Sequence, residues 1–181
     1  MTWLFTARER FGPDTHPDAW KGYIDFSGFH HIQELVSADS ILCGDAITAL
    51  MDEDWNHNVH ADNRVTLFTD FEYLVHRTGV DLSRHNILAI FEKPRKDDQN
   101  PPTDFQLCGF DILDSYDSVS VLTNCGQYPG IMDPKEVNRF GLLSNLDRAN
   151  SIAEILRIAF PDENHCCDCR VWSIARYIQP K

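Results

Sequence analysis

Residues 105–125 have the sequence FQLCGFDILDSYDSVSVLTNC, and the predicted sheet is built around them. Two runs rich in β-branched and aromatic residues, 105–113 and 119–123, flank the short polar segment 114–118. Such runs on either side of a polar turn are typical of a β-hairpin, whose side chains pair across the two strands. We expect this hairpin to form the middle of a sheet.

Further strands are predicted on either side of the hairpin. The compact apolar run 87–91, ILAIF, and the segment 170–178 near the end of the chain both have strand length and composition. The tetrapeptide 23–26 also fits a short strand. The tight connections between the later strands favour antiparallel pairing.

Two helices are well specified by their apolar spacing. The first covers about 62–78, with Asp62 as its N-cap and Gly79 just past its end. The second covers about 146–160, where Ser144 and Asp147 resemble a capping box and Pro161 ends the helix. Both present one apolar face to a core.

The remaining segments carry weaker signals. Residues 1–20 are predicted to be irregular, because Gly12, Pro13 and Pro17 interrupt any long element. Short helices fit the apolar spacing of 29–41 and 45–50, and Asp133 followed by a proline opens a third that ends near Gly141.

Together these elements predict an α+β fold in a single domain, 1–181. An antiparallel sheet of about four to five strands, mainly in the C-terminal half, packs against helices. The length suits one core, and no linker or repeat divides the chain. The sequence contains no Rossmann glycine fingerprint, phosphate-binding loop or HExxH zinc motif.

The charge is strongly negative and unevenly distributed. The net charge is −12, of which −8 falls in residues 1–80 and −4 in residues 81–181. Between Lys21 and Arg64 there are eight acids and no Lys or Arg. Such a field repels phosphate backbones and anionic lipid, so we expect neither nucleic-acid nor membrane binding. A basic protein partner would be attracted.

The six cysteines are interpreted as reduced thiols. The chain is long enough to fold without disulfides, and its first residues lack the layout of a signal peptide. No apolar run has the length of a membrane span. The expected compartment is the cytoplasm.

The segment 165–169, HCCDC, is the first candidate metal site. Cys166 and Cys169 have the CxxC spacing that lets two thiolates bind one zinc ion, and His165 could add a third ligand. A second pair of ligands is missing from the sequence, so Cys125 or Cys108 would have to complete the site through folding. The alternative is that these cysteines pack as small buried apolar residues.

A second cluster lies in the acid-rich stretch at 52–62. On a helix, His57 and His60 would share one face with Asp54, which could hold a divalent metal or perform acid–base chemistry. The alternative is a solvated helix start with Trp55 directed inward.

Cys125, at a predicted strand end before a glycine, is the best-placed nucleophile and would need a histidine beside it.

The sequence therefore predicts a non-enzymatic, acidic protein-binding domain without a cofactor. Aromatic rings among carboxylates can capture a basic protein, and the most concrete version is an immunity-type neutraliser of a basic toxin or nuclease. The residues predicted to contact the partner are Asp52, Glu53, Asp54, Trp55 and Asp62. The alternative is a metal-dependent or cysteine-based enzyme that uses 165–169 or 54–60. A subunit whose acidic face is covered in an oligomer is a third interpretation.

Overall fold

In the part of the chain that the structure describes, four strands form one antiparallel sheet, and three helices accompany it. A computed structural model describes residues 2–47, 66–98, 100–116, 118–124 and 130–178. Within these residues the elements are, in chain order, β1 (Leu4–Glu9), α1 (Pro17–Ser27), α2 (Phe71–Thr78), β2 (His85–Glu92), β3 (Phe105–Leu113), α3 (Leu146–Ala159) and β4 (Arg170–Tyr177). The predicted α+β class is confirmed, with three of the four strands after residue 80.

The order across the sheet is β1-β2-β4-β3, and all neighbours are antiparallel. The prediction that the 105–123 hairpin forms the middle of the sheet is wrong. β3 is an edge strand, and β4 occupies the interior between β2 and β3. Pairing across this sheet joins segments far apart in the chain, which a local hairpin pattern cannot reveal.

The second half of the predicted hairpin is not a strand. It returns alongside β3 for one isolated bridge, Leu113 to Ser120, and then turns, with the Asn124 N–H bonded to the Ser120 carbonyl. Ser120 explains the turn, because its backbone N–H and its hydroxyl both donate to buried carboxylates, those of Asp39 and Asp111. These bonds keep residues 121–124 from continuing as a strand beside β3.

The first strand was missed, since residues 1–20 were predicted to be irregular. β1 pairs with β2 over its whole length, from Leu4 opposite Ile90 to Glu9 opposite His85. Arg8 in its centre is completely buried. A charged side chain inside a strand disrupts the apolar pattern that sequence reasoning uses.

Two predictions in the first fifty residues are also wrong. The segment 23–26 belongs to α1, which has a proline in its first turn, buries Trp20 and ends at Gly28 in the left-handed conformation. Residues 29–41 form turns and a bridge rather than a helix. Ile32, Leu35 and Val36 are buried there as the apolar pattern suggested, but on an irregular chain. Of the helix predicted at 45–50, residues 45–47 are not helical, and residues 48–50 lie outside the described residues.

The first well-specified helix begins later than predicted. α2 starts at Phe71, where the Asp70 side chain accepts a bond from the Tyr73 N–H, and Asp62 lies outside the described residues. Phe68 cannot be helical because it forms a bridge with Phe5. Gly79 ends α2 in the left-handed conformation, as predicted.

The second well-specified helix is confirmed as α3, with a different cap. Asn145, rather than Ser144, accepts the N-terminal bond, from the Arg148 N–H. The short helix predicted after Asp133 is reduced to one 3-10 turn, Pro134–Glu136, with Asp133 and Glu136 forming the capping box.

Two glycines allow close packing at the β3 edge. At Gly109, which lies at the irregularity in the β3–β4 register, φ is 148° and a Cβ atom would stand 2.7 Å from the Leu143 carbonyl oxygen. At Gly141, φ is 77° and a Cβ would stand 2.6 Å from Leu35 Cδ2. Larger residues would combine backbone strain with overlap at both positions.

Both outer edges of the sheet are covered by short bridges. Phe68 and Asp45 pair with β1, while Leu143 and Ser120 pair with β3. Such covering prevents edge-to-edge association with other chains. None of the helices in the described residues has the length and apolar character that crossing a bilayer requires.

Candidate functional sites

The loop at 160–169 packs against the turn that follows β3. Ser115 Oγ donates to the Asp168 carbonyl oxygen over 2.8 Å, and His165 Nδ1 lies 2.6 Å from Asp114 Oδ2. The loop is compact, because the Cys166 and Cys167 N–H groups both donate to the Glu163 carbonyl. The contact therefore joins residues about fifty positions apart in the chain.

His165 and Asp114 form a pair of unequal exposure. The Asp114 side chain is buried and also accepts from the Tyr116 and Val119 N–H groups at 2.9 and 3.2 Å. The His165 side chain remains 42% exposed. A carboxylate at Nδ1 orients the imidazole and leaves Nε2 to exchange a proton with solvent or a substrate.

Two of the three cysteines that follow His165 belong to the core, while Cys167 is exposed. Cys166 and Cys169 are completely buried among residues of the largest apolar cluster, and Cys169 Sγ contacts the Ala153 carbonyl oxygen of α3 at 3.8 Å. Burial raises the pKa of Cys169 to about 11, which opposes the thiolate form that a zinc site requires. Within the described ranges, no three His, Cys, Asp or Glu side chains are grouped to hold a metal ion.

Apart from Cys108, which is half-buried on β3, the other predicted site residues lie outside the described residues. These are the candidate nucleophile Cys125, the pair His57 and His60, and the partner-contact set Asp52, Glu53, Asp54, Trp55 and Asp62. Their roles stay predictions.

The structure describes four of the eight acids in the stretch between Lys21 and Arg64: Asp25, Glu34, Asp39 and Asp45. Of these four, only Asp25 is exposed. Glu34 pairs with Arg10 and Arg176, Asp45 pairs with Arg8, and Asp39 is completely buried. These three acids bind groups within the protein, so they add little to an outward-facing negative surface.

A buried polar network lies beneath this stretch. Arg8 Nη2 donates to the carbonyl oxygens of Ala38 and Asp39 at 3.2 and 2.8 Å, and its Nη1 stands 3.4 Å from Asp45 Oδ2. Asp111 accepts from the hydroxyls of Ser37 and Ser120 and from the Ile112 N–H.

Burial changes the ionisation of the groups in this network. It raises the pKa of Asp111 to about 7, against the hydrogen bonds from Ser37 and Ser120, and the charge of Asp39 adds to the rise. The same cause lowers the pKa of Arg8, although nearby acids oppose the change. The network thus holds a carboxyl group that titrates near neutrality inside the protein.

A cluster of arginines around Glu34 was missed by the sequence reasoning. Glu34 accepts hydrogen bonds from Arg10, Asn86 and Arg176. Arg10 directly follows β1, Asn86 lies on β2 and Arg176 on β4, at separations of 24, 52 and 142 positions from Glu34. No local motif signals such a cluster; only the alternation that places Asn86 and Arg176 on neighbouring strands could have suggested it.

Comparison with family models, with curated proteins and with solved structures finds no match to this chain.

Proposed function

We propose that this chain binds a basic protein partner through an exposed surface around Tyr116. We define the Tyr116 surface as Tyr116, Ile41, Asp162, Glu163 and Asp168. Tyr116 is 81% exposed and Ile41 60% exposed, and the three acids are exposed as well. The observation that carries the proposal is this large, solvent-facing ring beside a loop of carboxylates.

Hydrogen bonds bring the parts of the Tyr116 surface together. The Ser40 N–H donates to the Ser118 carbonyl at 3.0 Å, which places Ile41 next to the turn that contains Tyr116. On the other side, Ser115 is bonded to Asp168. The apolar residues therefore stand on a framework fixed from both sides, and a preorganised surface loses less entropy on binding.

The charge of the surface favours a cationic partner. Residues 160–169 contain three acids and no Lys or Arg, within a chain of net charge −12. An aromatic ring in the centre supplies apolar burial, while the surrounding carboxylates accelerate association and set specificity. A neutraliser of a basic toxin or nuclease, in the manner of an immunity protein, is the most specific form of this proposal.

Affinity purification of the full chain from its source cells, followed by calorimetry with the purified partner, tests the proposal. We expect a basic protein to bind the wild type, with an affinity that falls as salt rises. Tyr116→Ser should weaken that binding at least tenfold, since central aromatic residues carry about 2 kcal/mol or more of an interface.

Ile178→Ser is the matched control. Ile178 is also an exposed apolar residue, but it follows β4 at the end where Tyr177 pairs with Phe105, whereas Tyr116 lies beyond Leu113 at the other end of β3. Equal affinities for the Tyr116→Ser and Ile178→Ser variants, or binding that is insensitive to salt, would contradict the proposal.

The His165–Asp114 pair supports a second candidate, an enzyme that uses His165 Nε2 as a general base. The supporting observation is the 2.6 Å contact between a half-exposed imidazole and a buried carboxylate. Hydrolysis of a generic activated ester by the wild type should then fall at least tenfold in His165→Gln. Equal rates in the two proteins would remove this candidate.

A further inference from the structure

A half-open cavity of about 460 Å³ is lined by Glu34 and by its partners Arg10 and Arg176. It is separate from the Tyr116 surface. Its walls are formed by Arg10 and residues 12–15 after β1, by residues 33–34, Ser83 and residues 139–140, and by Arg176 of β4. This size is within the range of small-molecule sites. A backbone hydrogen bond joins two of these walls: the Gln33 N–H donates to the Arg139 carbonyl at 2.8 Å.

Glu34 holds two arginines in place at this cavity. Arg10 donates to it through Nε at 2.7 Å and Nη2 at 3.0 Å, and Arg176 donates through Nη1 at 3.0 Å. Asn86 adds a bond of 2.9 Å. Burial alone would raise the pKa of Glu34, but the bonds from Arg10 and Asn86 and the arginine charges outweigh it and lower the pKa. Glu34 is therefore an ionised positioning residue.

A third arginine completes the cationic wall. The guanidinium carbons of Arg139 and Arg176 lie 4.7 and 4.9 Å from the ring centre of Phe140. Such stacking orients the planar groups without using their N–H donors. Arg139 forms no ion pair with a carboxylate in the described part of the chain, so its donors remain available to a ligand.

The charges around the cavity leave a positive excess. The cavity is lined by three arginines, Arg10, Arg139 and Arg176, and by two acids, Glu34 and Asp14. Its lining is therefore positive, although the chain has a net charge of −12. Guanidinium groups bind phosphate and carboxylate oxygens in pairs of parallel hydrogen bonds. An oxyanion would satisfy the donors that Glu34 leaves unused.

We propose that this cavity binds a small compound that carries a phosphate or carboxylate group. Arg139 and Arg176 bind the oxyanion, while Glu34 orients Arg176 and Arg10, and Phe140 supports the two guanidinium planes. This goes beyond the protein-binding function, because the cavity and the Tyr116 surface share no residue.

Calorimetry on the full chain tests the proposal, with inorganic phosphate and citrate as separate probes at constant ionic strength set by chloride. We expect one site per chain for at least one probe. Arg139→Gln should weaken that binding about tenfold or more, the usual effect of losing a charge-assisted hydrogen bond. Arg139 is exposed, so this variant is expected to fold.

Arg95→Gln is the matched control, since Arg95 is exposed and does not line the cavity. Binding of phosphate alone assigns a phosphorylated ligand, binding of citrate alone assigns a carboxylate, and binding of both supports a general oxyanion site. Absence of binding for both probes at millimolar concentration, or equal losses in Arg139→Gln and Arg95→Gln, would overturn the proposal. Neither result bears on Tyr116.

Discussion

Replacing Asp111 by Asn should remove a pH dependence from the stability of this protein. Burial raises the pKa of Asp111 from 3.8 to about 7, so between these pH values the folded protein keeps a proton on Asp111 that the unfolded chain has lost. The stabilisation that this proton gives the folded state is complete below the pKa of Asp111 in the unfolded chain, and it disappears as the pH rises through 7. The asparagine side chain has nearly the same shape and does not titrate.

The size of the effect follows from the two pKa values. Each pH unit between them changes the free energy of unfolding by about 1.4 kcal/mol, so the two units from pH 5 to pH 7 give about 3 kcal/mol. The wild type should lose that amount relative to Asp111→Asn as the pH is raised from 5 to 8. Subtracting the variant from the wild type cancels the other titrating groups.

Urea unfolding at several pH values, followed by the fluorescence of the four tryptophans, measures this difference. Thr6→Val is the control: it removes a buried hydroxyl that has no hydrogen-bond partner, and its effect should be the same at every pH. A difference between wild type and Asp111→Asn that stays constant within about 0.5 kcal/mol from pH 5 to 8 would refute the reasoning.

Three other substitutions test the fold. Gly109→Ala should destabilise the protein by about 2 kcal/mol or more in thermal unfolding, because the new methyl group meets the Leu143 carbonyl; a smaller loss would show that β3 can move. Asn145→Ala should cost about 1 kcal/mol by loss of the α3 cap, whereas no change would mean that another group replaces it. Arg8→Ala should cost about 3–5 kcal/mol in urea unfolding because Asp45 loses its cationic partner, and a neutral result would contradict the buried pair.

The elements that the sequence predicted correctly are those whose signals are local. The apolar run of β2, the one-sided spacing of α3 and the left-handed Gly79 depend on neighbours within a turn or a strand. β1 was missed because Arg8 is buried by hydrogen-bond partners 30 and 31 positions away in the chain. Strand order likewise depends on distant pairing, so β3 was placed in the interior instead of β4.

The candidate sites were predicted less well than the fold, for the same reason. His165 was singled out only as a possible zinc ligand, and its partner Asp114 comes from a turn 51 positions earlier. The cavity at Glu34 combines three arginines that have no common motif. Cys166 and Cys169 had metal-ligand spacing, yet their direction was decided by packing against α3.

The central position of β4 has a consequence for how the protein folds during synthesis. β4 is the last of the four strands to leave the ribosome, and β2 and β3 have no direct pairing in its absence. Before β4 emerges, β3 is therefore paired only through the short bridges to Ser120 and Leu143, and we expect chaperones to protect it. A nascent chain halted before Arg170 should be cleaved rapidly by protease, and the chain extended through Tyr177 should resist.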